Sequence, residues 1–307
     1  MTPDPIRWEA VACPLCGHGG DRDFLRVPGA DDREYRLGEC PGCGLVFTNP
    51  RPDAASIARF YPADYAPYQP PRRRGRVFRR LRERLGLRGE RALTDRLTPG
   101  GVLLDYGCGS GWFAARMRAR GWDARGMDFS PHAAAAARRN FGLDVVHGAL
   151  PHPAVRPASV DLLTLRAVVE HVHDPRALLR AVFDAVRPGG RAYLVVPNLA
   201  SWGYRAFGPA WFALDVPRHL LHFTPDTLRR LVEGCGFAVE ATGTIGRAKG
   251  AGESAARAGR AATWVGRACR LRAARSLFAR AAEWAGRGDD LALLARKPDV
   301  AAARRAA

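Results

Sequence analysis

Lysine is almost missing from this 307-residue chain, where only Lys249 and Lys297 occur. The formal net charge of +18 is therefore carried by arginine. Strong basicity suits nucleic acid, anionic lipid or an acidic substrate. The arginines are spread along the whole chain and form no single patch, as the codon usage of a GC-rich genome would also leave them. Also missing is any apolar run of the roughly 18 residues that a membrane span needs. Met1 to Ala10 is polar and lacks the apolar stretch of a secretory signal peptide, so a reducing cytoplasm is the expected compartment. A hydrophobic content of 47% argues against disorder as the default for the chain.

The seven cysteines do not form a secreted disulfide framework. Four of them fall in two near-identical turns, Cys13-Pro-Leu-Cys16-Gly and Cys40-Pro-Gly-Cys43-Gly. A structural zinc ion needs four soft ligands in a tetrahedron, and each Cys-x-x-Cys turn supplies two. Cys13, Cys16, Cys40 and Cys43 are thus the expected zinc ligands of a small ribbon over residues 1–50, with Leu45-Val46-Phe47 leaving the second knuckle as a strand. So small a segment has little core, and the metal would supply much of its folding energy. Residues 51–96 are basic and helix-prone, and read as a linker or lid. The aromatics from Tyr61 to Tyr68 could pack on the next domain or cover a ligand, and Arg72 to Arg91 reads as a solvated helix face.

After Pro99-Gly100-Gly101 short apolar strands alternate with helices. Strands are expected at 102–106, 124–128, 145–146, 160–165 and 191–197. Helices are expected at 112–120, 131–140 and 177–186. This alternation predicts an α/β fold, a mostly parallel sheet with helices on both faces. Two further strands are expected at 237–245 and 290–295. Between them lies an Ala/Arg-rich helical insertion over about 250–287, packed on the protein, with a membrane-surface role as the lesser reading. Residues 199–225 form an earlier, aromatic-rich insertion, the first of the two in chain order, and 299–307 a tail.

Gly107-Cys-Gly109-Ser-Gly111 follows a strand, opens a helix, and sits at the carboxyl end of the first sheet strand. Open α/β sheets bind ligands at such places. The glycines let backbone approach a ligand closely. The pattern lacks the spacing of dinucleotide folds, because Trp112 and Phe113 stand where another glycine would be, and this suits a ligand without phosphates. Asp128 ends the second strand, where a carboxylate can accept both ribose hydroxyls of an adenosine group. It would also serve at the start of the next helix.

These segments resemble the motifs of class I S-adenosylmethionine-dependent methyltransferases. Residues 102–113 resemble the first motif and Gly126-Met-Asp-Phe-Ser130 the ribose motif. Residues 160–165, Glu170-His-Val-His-Asp-Pro175, Arg187-Pro-Gly-Gly190 and Val195-Val-Pro-Asn198 resemble later ones, in the same order. The resemblance spans about 97–295 and implies a Rossmann-like catalytic domain, here 97–298. The cysteine turns, with Pro217 to Thr224, resemble a subgroup with an N-terminal zinc module that includes sugar C-methyltransferases and enzymes of natural product biosynthesis. S-adenosylmethionine is the implied cofactor. Asp105, Gly107, Gly109 and Gly111 would hold its methionine part, and Asp128 its ribose. Phe129 and Leu150 would lie against the adenine, and Arg166 beside the sulfonium.

The implied acceptor is a small molecule, a sugar or secondary-metabolite hydroxyl or carbon, free or linked to a carrier or nucleotide. A hydroxyl acceptor must lose a proton, and histidine suits that near neutral pH. Glu170, His171, His219 and His222 are the candidate catalytic residues. In ubiquinone-type O-methyltransferases, which this segment resembles, Glu-x-x-Glu-His with a later His binds a divalent metal. Ala167 replaces the first Glu, leaving Glu170, His171 and His219 as a three-ligand set. Glu170-His171 also fits a helix start, and His219 and His222 also fit satisfied core histidines or a cover over the acceptor pocket. A nucleic-acid methyltransferase is the second enzyme reading, but Arg166-Ala-Val-Val169 stands where Asn/Asp-Pro-Pro-Tyr would be expected. A non-enzymatic partner-binding module on a relic domain is a further alternative, and the intact glycine loop with Asp128 argues against it.

Overall fold

The computed structural model describes residues 6–29, 31, 33–62, 97–259 and 263–299. The expected lid beyond residue 62 and the tail beyond 299 lie outside these residues. Two short strands bracket the cysteine-bearing segment. β1 (Trp8–Glu9) pairs antiparallel with β5 (Arg51–Pro52), so strand pairing crosses the boundary expected at residue 50. Between them run β2 (Arg22–Pro28), β3 (Glu34–Glu39) and β4 (Val46–Thr48), an antiparallel meander.

The catalytic-type domain follows from its strands. β6 (Val102–Tyr106), β7 (Asp123–Asp128), β8 (Val145–His147), β9 (Val160–Arg166) and β10 (Val186–Pro197) are mutually parallel neighbours. The central strands are apolar on both faces: Leu103, Leu162, Leu163, Leu165, Ala192 and Leu194 are fully buried. That is what a sheet covered by helices on both sides requires. After β11 (Leu221–His222), the strands β12 (Ala238–Ile245) and β13 (Asp290–Arg296) complete the sheet. Its order is β12-β13-β10-β9-β6-β7-β8, with β13 antiparallel to both neighbours.

Helices cover the faces. α1 (Trp112–Arg118) starts at Gly111, and α2 (Pro131–Phe141) starts at Ser130, whose side chain accepts the Ala133 N–H. α3 (Pro175–Ala185) is capped by Asp174. α4 (Trp202–Phe207) lies in the first insertion, and α5 (Pro225–Glu233) carries a Thr224–Thr227 capping box. Each of α2, α3 and α5 has proline in its first turn, where its missing N–H costs nothing. The second insertion breaks into α6 (Ala248–Ala258), α7 (Trp264–Ala268) and α8 (Arg272–Trp284). No described helix is long and apolar enough to cross a membrane.

One pairing joins the two parts. β11 belongs to the first insertion but adds to the N-terminal meander, in the order β11-β4-β3-β2. Leu221 faces Phe47 and His222 faces Val46. The Thr48 hydroxyl donates to the His219 carbonyl at 2.9 Å, and the Thr48 N–H donates to the Leu220 carbonyl at 2.9 Å. The cysteine-bearing module is therefore closed by a strand from the far half of the chain.

Candidate functional site

Chain reversal in the sheet falls between β6 and β9: β7 and β8 run to one side of β6, and the chain then returns to its other side. The crevice at the carboxyl ends of these two strands is the ligand position of open α/β sheets. The loop leaving β6 holds Gly107, Gly109 and Gly111 at φ 71°, 52° and 78°. A Cβ on Gly107 would lie 2.5 Å from Val168 Cγ2, and one on Gly111 would lie 2.7 Å from Ala137 Cβ and from Leu143 Cδ1. Glycine is needed here for both conformation and space.

Asp128 pins this loop. Its Oδ2 accepts the Gly109 N–H and its Oδ1 the Ser130 N–H, each at 2.9 Å. Burial raises its carboxyl above the usual range, and the two N–H donors oppose that rise. Each oxygen keeps a further lone pair. Phe129 beside it is 58% exposed, and Tyr61 meets its ring edge-on at 6.0 Å. Leu150 is half-buried on the core below. Asp105 is buried: Thr164 Oγ1 donates to its Oδ1 at 2.6 Å, and burial pushes its carboxyl up to about 6. Arg166, at the end of β9, lays its guanidinium 4.3 Å over the Phe113 ring.

The loop leaving β9 is strained and leads to the second half of the site. Ala167 adopts φ 55°, a left-handed conformation that costs an alanine on the order of 1–3 kcal/mol. Val168 then packs on Gly107, and Glu170 and His171 follow in a short 3-10 turn. Leu220 N donates to the Glu170 carbonyl at 2.8 Å, which holds the 219–220 segment alongside. One donor atom each from Glu170, His171 and His219 lie within 4.8 Å of one another.

The chemistry of this trio is unusual. Both Glu170 carboxylate oxygens are buried without a hydrogen-bond partner, and burial pushes the carboxyl up to about 8. Such orphaned groups are rare and costly. His171 Nδ1 lies 3.0 Å from the Arg218 carbonyl, and His219 Nδ1 lies 2.8 Å from the Ala213 carbonyl. A carbonyl only accepts, so Nδ1 carries the proton in both rings and Nε2 keeps its lone pair. Burial pushes His171 down to about 3 and also lowers His219. Burial alone would raise Asp215, but the Arg218 guanidinium bonded to it holds its carboxyl below the usual range. Asp215 Oδ2 lies 3.9 Å from His219 Nε2.

His222 lies outside this trio. It is 2% exposed within β11, and its Nε2 is buried without a partner. It therefore contributes to no open cover over an acceptor pocket, because its strand is paired into the N-terminal sheet. Tyr61, expected only as one of the aromatics that could pack on the next domain or cover a ligand, brings its hydroxyl 2.9 Å from His171 Nδ1, a link to the trio that the sequence did not suggest. Its only signal was its place in an aromatic-rich stretch.

The four cysteines also converge. Cys13 and Cys43 Sγ are 3.5 Å apart, as are Cys16 and Cys40 Sγ, and all four lie within 4.8 Å. The two turns share one hydrogen-bond pattern. Gly17 N donates to the Cys13 carbonyl and Gly44 N to the Cys40 carbonyl, each at 2.8 Å. Tetrahedral zinc with bonds of about 2.3 Å has sulfur–sulfur edges near 3.8 Å, so the cluster fits such an ion. Arg176 at the start of α3 donates to the Leu15 carbonyl at 2.9 Å, docking the first knuckle on the larger domain.

Residues 72–242 match the model of a methyltransferase domain family, and the chain belongs to that family. Its sheet is that of a class I S-adenosylmethionine-dependent methyltransferase. The chain is 30% identical over 149 residues to the ubiquinone biosynthesis O-methyltransferase of Aeromonas salmonicida, covering 45% of this chain and 63% of that one. It is 32% identical over 130 residues to the malonyl-[acyl-carrier protein] O-methyltransferase of Serratia marcescens, covering 42% and 50%. The chain thus spans half to two thirds of these relatives. A solved S-adenosylmethionine-dependent methyltransferase from Mesorhizobium loti is 22% identical, with coverage of 67% and 95% and a TM-score of 0.46.

Proposed function

We propose that this protein transfers a methyl group from S-adenosylmethionine to a hydroxyl of a small molecule, a sugar or secondary metabolite. The observation that carries the reading is the contact between the two loops: Gly107 of the glycine loop packs on Val168, two residues before the orphaned Glu170 carboxylate. That contact sets a cofactor cradle beside a polar trio.

In this reading Gly107, Gly109, Gly111 and Asp105 receive the methionine part and Asp128 the ribose. Phe129 and Leu150 border the adenine, and Arg166 closes the side toward Phe113. The bound cofactor supplies a methyl already activated by positive sulfur. The chain's task is then to align the acceptor oxygen and manage its proton. His171 is held so low, about 3, that it makes a weak base near neutral pH. Neutral imidazoles with free Nε2 lone pairs and an unpartnered carboxylate are instead the donor set of a divalent cation. Glu170, His171 and His219 would hold such an ion, which lowers the pKa of a bound hydroxyl. Tyr61 and the Arg218 carbonyl fix the His171 ring, and the Ala213 carbonyl fixes that of His219. Cys13, Cys16, Cys40 and Cys43 would hold a structural zinc.

The test is S-adenosylhomocysteine release from phenol, catechol and sugar-hydroxyl panels, with and without added magnesium or manganese. Turnover that rises with the cation, and falls about 100-fold or more in Glu170→Ala, is expected. Folded protein that binds no S-adenosylhomocysteine in calorimetry would overturn the reading.

A further inference from the structure

Among the described residues, seven large hydrophobic side chains are exposed, and the four most exposed fall in one short stretch. They are Trp264 (82%), Leu271 (68%), Leu277 (70%) and Trp284 (85%), all within the α7–α8 segment. Neither the cofactor cradle nor the Glu170 trio uses them.

α8 has two faces. Phe278, Ala279 and Ala282 turn inward, and Phe278 meets the rings of Trp202 and Phe207. Leu277 and Trp284, seven residues apart and thus on one line of the helix, turn outward. Arg280 lies on the same outward face, three residues from Leu277 and four from Trp284. Ordinary burial therefore explains the inner face and leaves the outer one unaccounted for. Scattered exposed apolar residues are common on proteins, but four in 21 residues, two of them tryptophan, are a concentration that asks for a partner.

The charge of the segment selects the occupant. Residues 263–287 hold six arginines and one acidic residue, Glu283. Glu283 is engaged inward, accepting the Gly246 N–H at 3.0 Å. Arg272, Arg280 and Arg287 are exposed within the same stretch. A second copy of the chain would bring arginine against arginine. An anionic lipid headgroup layer offers the complementary sign, with acyl chains beneath for tryptophan and leucine. Tryptophan is also the side chain that settles at a bilayer interface.

We infer that the outer face of α7–α8 is a docking surface for an anionic lipid bilayer, held at its surface. Insertion of Trp264, Leu271, Leu277 and Trp284 into the headgroup boundary supplies the apolar part. The flanking arginines supply the salt-sensitive part.

The test is co-sedimentation of the full chain with phosphatidylcholine vesicles made with and without phosphatidylglycerol, at low and high salt. The protein should pellet with the anionic vesicles, at least about tenfold more tightly than with neutral ones, and should be partly released by salt. Trp264→Ser/Leu277→Ser/Trp284→Ser and, separately, Arg272→Gln/Arg280→Gln/Arg287→Gln should each weaken binding about tenfold or more. Both variants should keep the wild-type melting temperature and S-adenosylhomocysteine affinity, since these side chains are outside the core and the cradle. Wild type left in the supernatant with both vesicles, equal binding to both, or a serine variant that pellets like wild type would each overturn the inference. So would a wild-type dimer by light scattering that the serine substitutions dissolve, which would make the face a self-interface.

Discussion

The rings of His171 and His219 meet edge-on with centroids 4.6 Å apart, although 48 residues separate them in the chain. Each ring is fixed from behind by a backbone carbonyl through Nδ1. Two neutral imidazoles in contact, with a buried carboxylate beside them, are stable together only when something shares their lone pairs or when the carboxyl keeps its proton.

Replacing either histidine by alanine should therefore lower kcat by about 100-fold or more while S-adenosylhomocysteine affinity stays within about threefold. Tyr61→Phe, which removes only the hydroxyl at His171 Nδ1, should cost less, about 3- to 10-fold. Steady-state kinetics with parallel calorimetry checks this. A histidine variant with normal kcat would remove the trio from the chemistry.

The cradle has its own prediction. Gly111→Ala puts a Cβ at 2.7 Å from Ala137 and Leu143 on a φ of 78°. Strain and overpacking together should destabilise the fold by about 2–4 kcal/mol. In a chain of this size that is roughly a 5–10 °C fall in melting temperature. Asp128→Ala releases both the Gly109 and Ser130 N–H groups and should weaken S-adenosylhomocysteine about 100-fold. Unchanged affinity in Asp128→Ala would take the ribose role from this residue.

Acid dependence should be visible at Asp289, which lies just before β13 and is 1% exposed. Its Oδ2 accepts the Arg247 N–H at 2.9 Å and its Oδ1 the Trp211 indole N–H at 3.2 Å. Burial, aided by neighbouring Asp290, pushes its carboxyl from 3.8 up to about 6. A folded-state pKa above the unfolded one means that the native protein holds the proton more tightly. The stability this contributes is fully present below pH 3.8 and is lost as pH rises through about 6. The stability of wild type relative to Asp289→Asn should fall by on the order of 3 kcal/mol from about pH 4 to 7 and stay flat above. Denaturant titration across that range checks it; a difference independent of pH would contradict it.

Metal analysis should find one zinc per chain, lost in Cys40→Ser. Because β11 pairs with β4, the loss should reach His219 through Thr48 and Leu220. Turnover should drop about tenfold or more, with S-adenosylhomocysteine binding kept, since the glycine loop and Asp128 stand on β6 and β7. Full turnover without zinc would show that the module and the site are uncoupled.

Much of the larger domain was legible in the chain because its signals are local. The short, largely apolar run Val160 to Leu165 read as a strand from its alternation with helical segments, and Pro131 marked a helix start; α3 begins at Pro175, two residues before the expected start, and α5 after Thr224-Pro225 was not among the expected helices. The paired cysteine turns carry their own geometry. What was not legible was long-range. Leu221-His222 is too short to read as a strand, and nothing near it names Phe47 and Val46 as partners, so His222 read as a pocket residue. The end of α6 does carry a local mark, Gly259 at φ 53° as its C-cap, which the reading of 250–287 as one helical insertion passed over. Tyr61 reaches His171 across 110 residues, which no spacing rule anticipates.

The same β11–β4 pairing bears on how the protein is made. Thr48 and His219 are 171 residues apart. At ribosomal speeds of roughly 5–20 residues per second, the cysteine knuckles emerge roughly 10 to 30 seconds before the strand that closes their sheet. During that interval the outer edge of β4, with Val46 and Phe47, has no partner and offers itself to any extended segment nearby. A nascent chain that captures its metal early would hold this edge in register until β11 arrives. Zinc supply during translation, rather than in the finished enzyme, would then set the yield of correctly assembled protein.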